Sequence, residues 1–229
     1  MPAALPPSRW AFPSPRDAEH EGPAAIGGDL EASTLVAAYA QGLFPMPLPR
    51  RTLGWFSPDP RAVLEPAGMH ISRSLGRSRS KMTVTIDSCF AEVVRGCADP
   101  ARAHAWIDDN FFAAYYELHT LGWAHSIEAW LGDRLAGGLY GVAIGAFFAG
   151  ESMFHAETDG SKVALAGLCE HLRGVDAVLF DVQWATPHLE SLGVTEITRD
   201  EYLDRLDLAV RSPGPTWQAG PTGTEEVPQ

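Results

Sequence analysis

Several things are scarce in this 229-residue chain. Cysteine occurs three times, at Cys89, Cys97 and Cys169. An odd number without CxxC spacing excludes a full disulfide framework and fits reduced thiols in a cytoplasmic protein. No apolar run approaches the roughly 18 residues of a membrane-spanning helix, so no membrane partner is expected. The first residues, MPAALPPSRWAFPSP, lack a basic stretch followed by an apolar one, so no secretory signal is expected. Basic residues are few: 17 Lys and Arg face 29 Asp and Glu, a net charge of −12, which argues against a generic nucleic-acid binder. There is no HExxH and no Cys/His ligand spacing, with His119 and His125 standing six apart, so no metal site is expected. No internal repeat is visible.

What is present suffices for a buried core. Hydrophobic residues make up 45% and charged residues 20% of the chain, enough for one large domain or two small ones. The organising stretch runs from His125 to Phe154 and reads as three short strands. AHSIEAWL alternates apolar and polar residues, Gly132-Asp133 signals a turn, and RLAGGLYGVAI and AFFAGESMF are apolar up to Glu151. An antiparallel meander with a buried face follows. Its glycines at 137, 138, 141, 145 and 150 predict bulges or a backbone that a ligand approaches closely. A carboxylate at Glu151, among small and apolar residues, must be paired, open to a cleft, or shifted in pKa.

In order, residues 1–28 read as irregular, followed by a helix over 33–41 with Ser33 as a candidate cap. FPMPLPRR and the WFSPDPR segment read as loops, leading to a strand near 62–64. The small N-terminal domain is therefore placed at 1–65, and a second domain at 66–211. That domain is predicted to hold helices over 72–79, 88–97, 109–121, 161–173 and 199–211, a helical turn over 188–192, and strands over 82–86, 177–182 and 195–197. The tail, 212–229, is polar and rich in Pro and Gly and reads as disordered. The class is α+β, and the element order is compatible with an acetyltransferase-like sheet.

The residues themselves suggest four chemistries. Gly150-Glu151-Ser152-Met153-Phe154 begins like a nucleophile elbow but lacks its closing glycine, which argues against a serine hydrolase. Metal chemistry lacks a ligand set. Acetyl-CoA transfer wants a glycine-rich turn opening a helix, whereas residues 155–162 carry two acids and little glycine. Asp181 and Gln183 stand two apart at the end of an apolar strand, which places them on one face. They read as a carboxylate orienting an amide, or as a plain turn cap. Separately, Arg73, Arg77, Arg79 and Lys81 lie in a segment without acids between Pro66 and Ile86, either a solvated helix face or a phosphate-contacting patch.

Motifs in one order along residues 10–207 settle the choice: AFPSP, GGDL, AYAQGLFP, WFSPDPRAVL, HISRSL, AWI, AYYELHTLGWAHSIEAW, GGLYGVAIGAFFAGESMF, SKVAL, DVQ and HLESLG. The chain resembles the leucyl/phenylalanyl-tRNA–protein transferase family. The resemblance implies a small N-terminal domain plus an acetyltransferase-like domain with a mixed, largely antiparallel sheet, in a cytoplasmic enzyme without metal or coenzyme. The implied reaction moves Leu or Phe, and also Met, from aminoacyl-tRNA to the α-amine of a protein beginning with Arg or Lys, marking it for N-degron proteolysis. It implies catalytic roles for Asp181, Gln183 and Glu151, and a donor side-chain pocket of Leu139, Phe148, Met153, Leu168 and Phe180. It places Trp106 at the 3′-adenosine and Arg73, Arg77, Arg79 and Lys81 on tRNA phosphates. Two positions depart from the family pattern: Met46 stands where a tryptophan is usual, and Val182 where a cysteine is. The alternatives are an acyltransferase with another donor or acceptor, and a non-catalytic tRNA- or degron-binding protein.

Overall fold

A computed structural model describes residues 1–20, 22–102 and 106–221. The N-terminal part contains β1 (Pro23–Ile26), α1 (Ala32–Tyr39), β2 (Phe44–Leu48), β3 (Thr52–Phe56) and β4 (Arg61–Val63). Then come α2 (Arg73–Arg79), β5 (Thr83–Ile86), α3 (Phe90–Cys97), α4 (Asp109–Thr120), β6 (Ala124–Leu131), β7 (Arg134–Ile144) and β8 (Phe147–His155). The chain continues through α5 (Gly160–Leu172), β9 (Leu179–Gln183), α6 (Pro187–Glu190), β10 (Thr195–Ile197), α7 (Arg199–Ala209) and β11 (Gly220–Pro221). Asp108, Ser72 and Thr198 cap α4, α2 and α7 through their side-chain oxygens, each worth about 1 kcal/mol.

The strands form two sheets. A small one runs β1-β3-β2, and a large one β10-β4-β9-β8-β7-β6-β5-β11. In the large sheet the β8–β9 pair is parallel and the other pairings are antiparallel. This is an α+β fold with a mixed, mostly antiparallel sheet beside a small N-terminal sheet. β7 shows why both faces read apolar: Tyr140, Val142 and Ile144 join one buried cluster, Leu139 and Ala143 the other. That is period-two geometry with helices on both sides. α1, α3, α4 and α7 supply the first cluster, α2 and α5 the second. Leu35, Tyr39, Phe44 and Trp55 share the first cluster with Phe111, Tyr115 and Tyr140, so the small sheet packs into the same core.

Four expectations are corrected. Within 1–28, residues 23–26 form β1 rather than irregular chain, and Ser33 lies inside α1, behind its N-cap residue Glu31, rather than capping it. The FPMPL segment is a strand, because β2 is an edge of its sheet and an edge tolerates prolines that cannot donate to a ladder. The Trp55-Phe56 segment is likewise β3 rather than loop. In the tail, Gly220 and Pro221 pair with Ile86 and Thr85, and Trp217 packs on the second cluster; residues 222–229 lie outside the described residues. Of the meander glycines, Gly137 lies against the backbone of Gly160 and Ser161, and Gly141 against the Ala149 carbonyl. A Cβ on Gly160 would sit 2.0 Å from the Ala136 carbonyl oxygen, so the start of α5 lies directly on β7. No described helix is long and apolar enough to cross a membrane.

Candidate active site

Two bulges on neighbouring strands build the site. Between β7 and β8 the register steps from Tyr140↔Ser152 to Gly141↔Gly150, leaving Glu151 as the extra residue. Between β4 and β9 it steps from Val63↔Asp181 to Ala62↔Gln183, leaving Val182 as the extra residue. A bulge bends its strand and re-aims side chains. The parallel pairing of β8 with β9 ends at Ala149↔Asp181, and beyond it the strands open. Their diverging ends line a cavity of about 120 Å³ with Leu139, Gly150, Glu151, Met153, Leu165, Phe180, Val182, Gln183 and Leu189.

Glu151 sits at the polar end. Tyr39 Oη lies 2.7 Å from its Oε1, Tyr115 Oη 2.7 Å from its Oε2, and the two phenol oxygens 2.7 Å from each other. Gln183 Nε2 donates to Oε1 at 3.3 Å. The three short oxygen contacts close a ring that needs three protons to be fully hydrogen-bonded. The two phenols supply two, and the carboxyl supplies the third only when it is neutral. Burial is the main cause that pushes the Glu151 carboxyl up to about 7; the tyrosine hydroxyls pull against it, and the Asp181 charge adds to it. Burial and the Glu151 charge hold the Tyr39 and Tyr115 phenols well above their ordinary range, so both remain donors.

Asp181 is held elsewhere. It is fully buried and takes a bidentate ion pair from Arg61, Nε to Oδ1 at 2.8 Å and Nη2 to Oδ2 at 2.6 Å. Tyr202 Oη donates to Oδ2 at 3.1 Å, and the backbone N–H of Gln183 to Oδ1 at 2.9 Å. Its four acceptor positions are thus occupied. The expected contact between the Asp181 carboxylate and the Gln183 side-chain amide is corrected: the bulge breaks the period of two, and Asp181 grips the Gln183 main chain. Gln183 has φ +62°, and Trp184 N–H bonds back to the Val182 carbonyl at 2.8 Å, a γ-turn that costs backbone strain. Asp181 holds that turn, and the turn delivers the amide to Glu151.

Of the expected pocket residues, Leu139, Met153 and Phe180 line the cavity. Phe148 and Leu168 are fully buried and do not line it, Phe148 meeting Phe180 edge-on with ring centroids 5.6 Å apart. Trp106 packs edge-on to Phe111 and Tyr115, at 5.1 and 6.5 Å, so it borders the Glu151 ring through Tyr115. Its motif neighbour Ala105 lies outside the described residues. Arg73, Arg77 and Lys81 are exposed on and just beyond α2, whereas Arg79 is paired with Glu170. Met46, on β2, pairs with Gly54 of β3. Ser152 lies within β8 rather than at a strand-to-helix turn, which removes the nucleophile elbow. No group of three metal-ligating side chains occurs among the described residues. Reading by motif missed Arg61, Tyr202, Tyr39 and Tyr115. Their signal was available only as polar residues inside otherwise apolar segments.

Comparison with known proteins adds an independent line. Residues 63–207 match the family model described as leucyl/phenylalanyl-tRNA protein transferase, and residues 28–59 match the model of its N-terminal domain. The chain is 46% identical over 230 residues to a protein of Anaeromyxobacter sp. (strain K) named leucyl/phenylalanyl-tRNA–protein transferase, covering 97% of this chain and 99% of the relative. It is 46% identical over 215 residues to the protein of that name from Tolumonas auensis, covering 90% and 92%. With the one from Shigella dysenteriae serotype 1 it shares 47% identity over 201 residues, 86% of each chain.

Proposed function

The chain belongs to the leucyl/phenylalanyl-tRNA–protein transferase family and is an aminoacyltransferase that passes an aminoacyl group from tRNA to protein. From that premise we propose that its donors are Leu-tRNA and Phe-tRNA, with Met-tRNA also used. Its acceptors are proteins with N-terminal Arg or Lys, and the reaction takes place in the cytoplasm to mark them for N-degron proteolysis. The observation that carries the reading is the meeting of Glu151 and Gln183 at the mouth of an apolar cavity where β8 and β9 part.

In this reading the donor side chain enters the cavity between Leu139, Met153 and Phe180. Its ester carbonyl lies at Gln183. The acceptor α-amine, with an ordinary pKa near 8, is partly neutral at pH 7 and attacks that carbonyl. The tetrahedral oxyanion collapses, the ribose oxygen leaves as the hydroxyl, and the amine nitrogen loses one proton overall. The ester is already activated, so alignment and oxyanion stabilisation carry the step. A neutral amide is too weak a base to take the proton, so Gln183 positions the reacting groups. Glu151 binds the donor's α-ammonium or assists proton transfer. Asp181 acts through the Gln183 turn. Trp106 stacks on the 3′-adenosine, and Arg73, Arg77 and Lys81 meet phosphates, with Arg79 joining them once Glu170 lets go.

The acetyl-CoA alternative finds little support. At the start of α5 stands Asp159, whose carboxylate takes the Ser78 hydroxyl and pairs with Lys162, where a diphosphate would need free amides and no negative charge. The test is transfer of labelled leucine from Leu-tRNA to a protein with N-terminal arginine, beside an N-terminal alanine control. Labelling of the arginine protein alone is expected. Labelling of neither, with tRNA still bound, would remove the acceptor assignment.

A further inference from the structure

Resting on the reading of the cavity as the donor side-chain pocket, we propose that Trp217 is a positioning residue that sets how large a donor side chain the pocket accepts. Trp217 lies beyond residue 207, where the family match ends. It belongs to a strap, residues 212–221, pinned on both sides. At one side a Cβ on Gly214 would lie 1.8 Å from the Gly145 carbonyl oxygen, so the strap presses on the β7–β8 turn. At the other, Gly220 and Pro221 pair with β5. Between these anchors the indole stacks on His125, with ring centroids 4.2 Å apart and planes at 6°, and leans on His171 at 4.7 Å.

From that fixed position the indole lies against Phe148, at 5.4 Å and 29°. Phe148 is completely buried and meets Phe180 edge-on at 5.6 Å, and Phe180 is a wall of the cavity. Three rings therefore run in series from the strap to the pocket. Interiors are close-packed, so a wall retreats only where something behind it gives. With the indole in place Phe148 is backed and Phe180 stays forward. With the indole removed, Phe148 gains a void behind it, Phe180 follows, and the pocket deepens. The expected consequence is a change of preference toward the larger donor.

The experiment compares kcat/KM for Phe-tRNA and Leu-tRNA in the full chain and in Trp217→Ala, Trp217→Leu and Trp217→Phe, with Phe180→Ala as the direct probe of the wall. Trp217→Ala is expected to raise the Phe:Leu ratio about threefold to tenfold, short of the roughly tenfold or more that a methylene decides within a pocket. Trp217→Leu carries the same comparison where the alanine variant does not fold. Trp217→Phe, which restores an aromatic ring behind Phe148, is expected to return the ratio to within about twofold of the parent. A variant that lost only stability would lower both donors by the same factor. Such a uniform loss, or an unmoved ratio, in Trp217→Ala and Trp217→Leu while Phe180→Ala moves it, overturns the role of Trp217 and leaves the pocket standing. A ratio that Phe180→Ala also fails to move overturns the pocket reading and this inference with it.

Discussion

Replacing Glu151 by glutamine should stabilise the protein and disable it. Glutamine has the shape and hydrogen-bonding capacity of the neutral acid. Its NH₂, at the Oε2 position, can donate to Tyr115, Tyr115 to Tyr39, and Tyr39 back to the amide oxygen, which still accepts from Gln183, so the three 2.7 Å contacts stay filled at any pH. Glutamate fills them only while protonated. Its carboxyl is raised from an ordinary 4.5 to about 7 by burial. A raised carboxyl favours the fold when protonated, so its contribution is complete below pH 4.5, falls away between 4.5 and 7, and is absent above. At about 1.36 kcal/mol per pH unit that interval amounts to at most about 3 kcal/mol, less to the extent that the half-buried side chain reaches solvent through the cavity mouth. Urea unfolding of wild type and Glu151→Gln at pH 5 and pH 8 measures it. The advantage of the variant should grow by about 2 kcal/mol between those two pH values, with the dependence on urea unchanged. Aminoacyl transfer should fall at the same time, since the variant can neither hold an ammonium by charge nor take a proton. A stability difference that does not vary with pH would show that Glu151 titrates in the ordinary range and that the three-proton ring is wrong.

Other outcomes follow from the same geometry. Arg61→Met leaves the Asp181 carboxylate buried without its partner, which should cost about 3–5 kcal/mol by urea unfolding and reduce turnover through the Gln183 turn; a loss under about 1 kcal/mol would mean that Tyr202 and the backbone hold Asp181 unaided. Arg77→Ala should weaken tRNA binding and reduce the slope of log affinity against log salt by about one. Arg79→Ala should do less, because tRNA must first displace Glu170 from that guanidinium; equal effects would show that this displacement costs little, and no change in slope from either would take α2 out of the interface.

How far the sequence reaches is decided by what each feature depends on. The meander was legible to within a residue because alternation, apolar runs and the Gly132-Asp133 turn are local. The helices were legible for the same reason, although their caps were not: the one proposed, Ser33, lies inside α1, while Ser72, Asp108 and Thr198 cap the starts of other helices. The edge strand β2 was not, since its prolines are tolerated only by virtue of its place in the sheet, which no local pattern records. Nor was the site. Family motifs singled out Glu151, Asp181 and Gln183, but the two bulges that aim them are one-residue shifts of register against other strands, and a shift of register leaves composition untouched. The partners that tune them are further away still: Arg61 meets Asp181 across 120 residues and Tyr39 meets Glu151 across 112. The tail shows the reverse case. Its proline, glycine and polar content describes a segment with little to bury by itself, yet Trp217 needs no core of its own because β5 and the ring of Phe148 supply one. Composition states what a segment can bury by itself; it says nothing of an edge already waiting for a strand. A short polar tail after a last helix is therefore best judged by whether it carries one large aromatic and a free sheet edge within reach, and this chain has both.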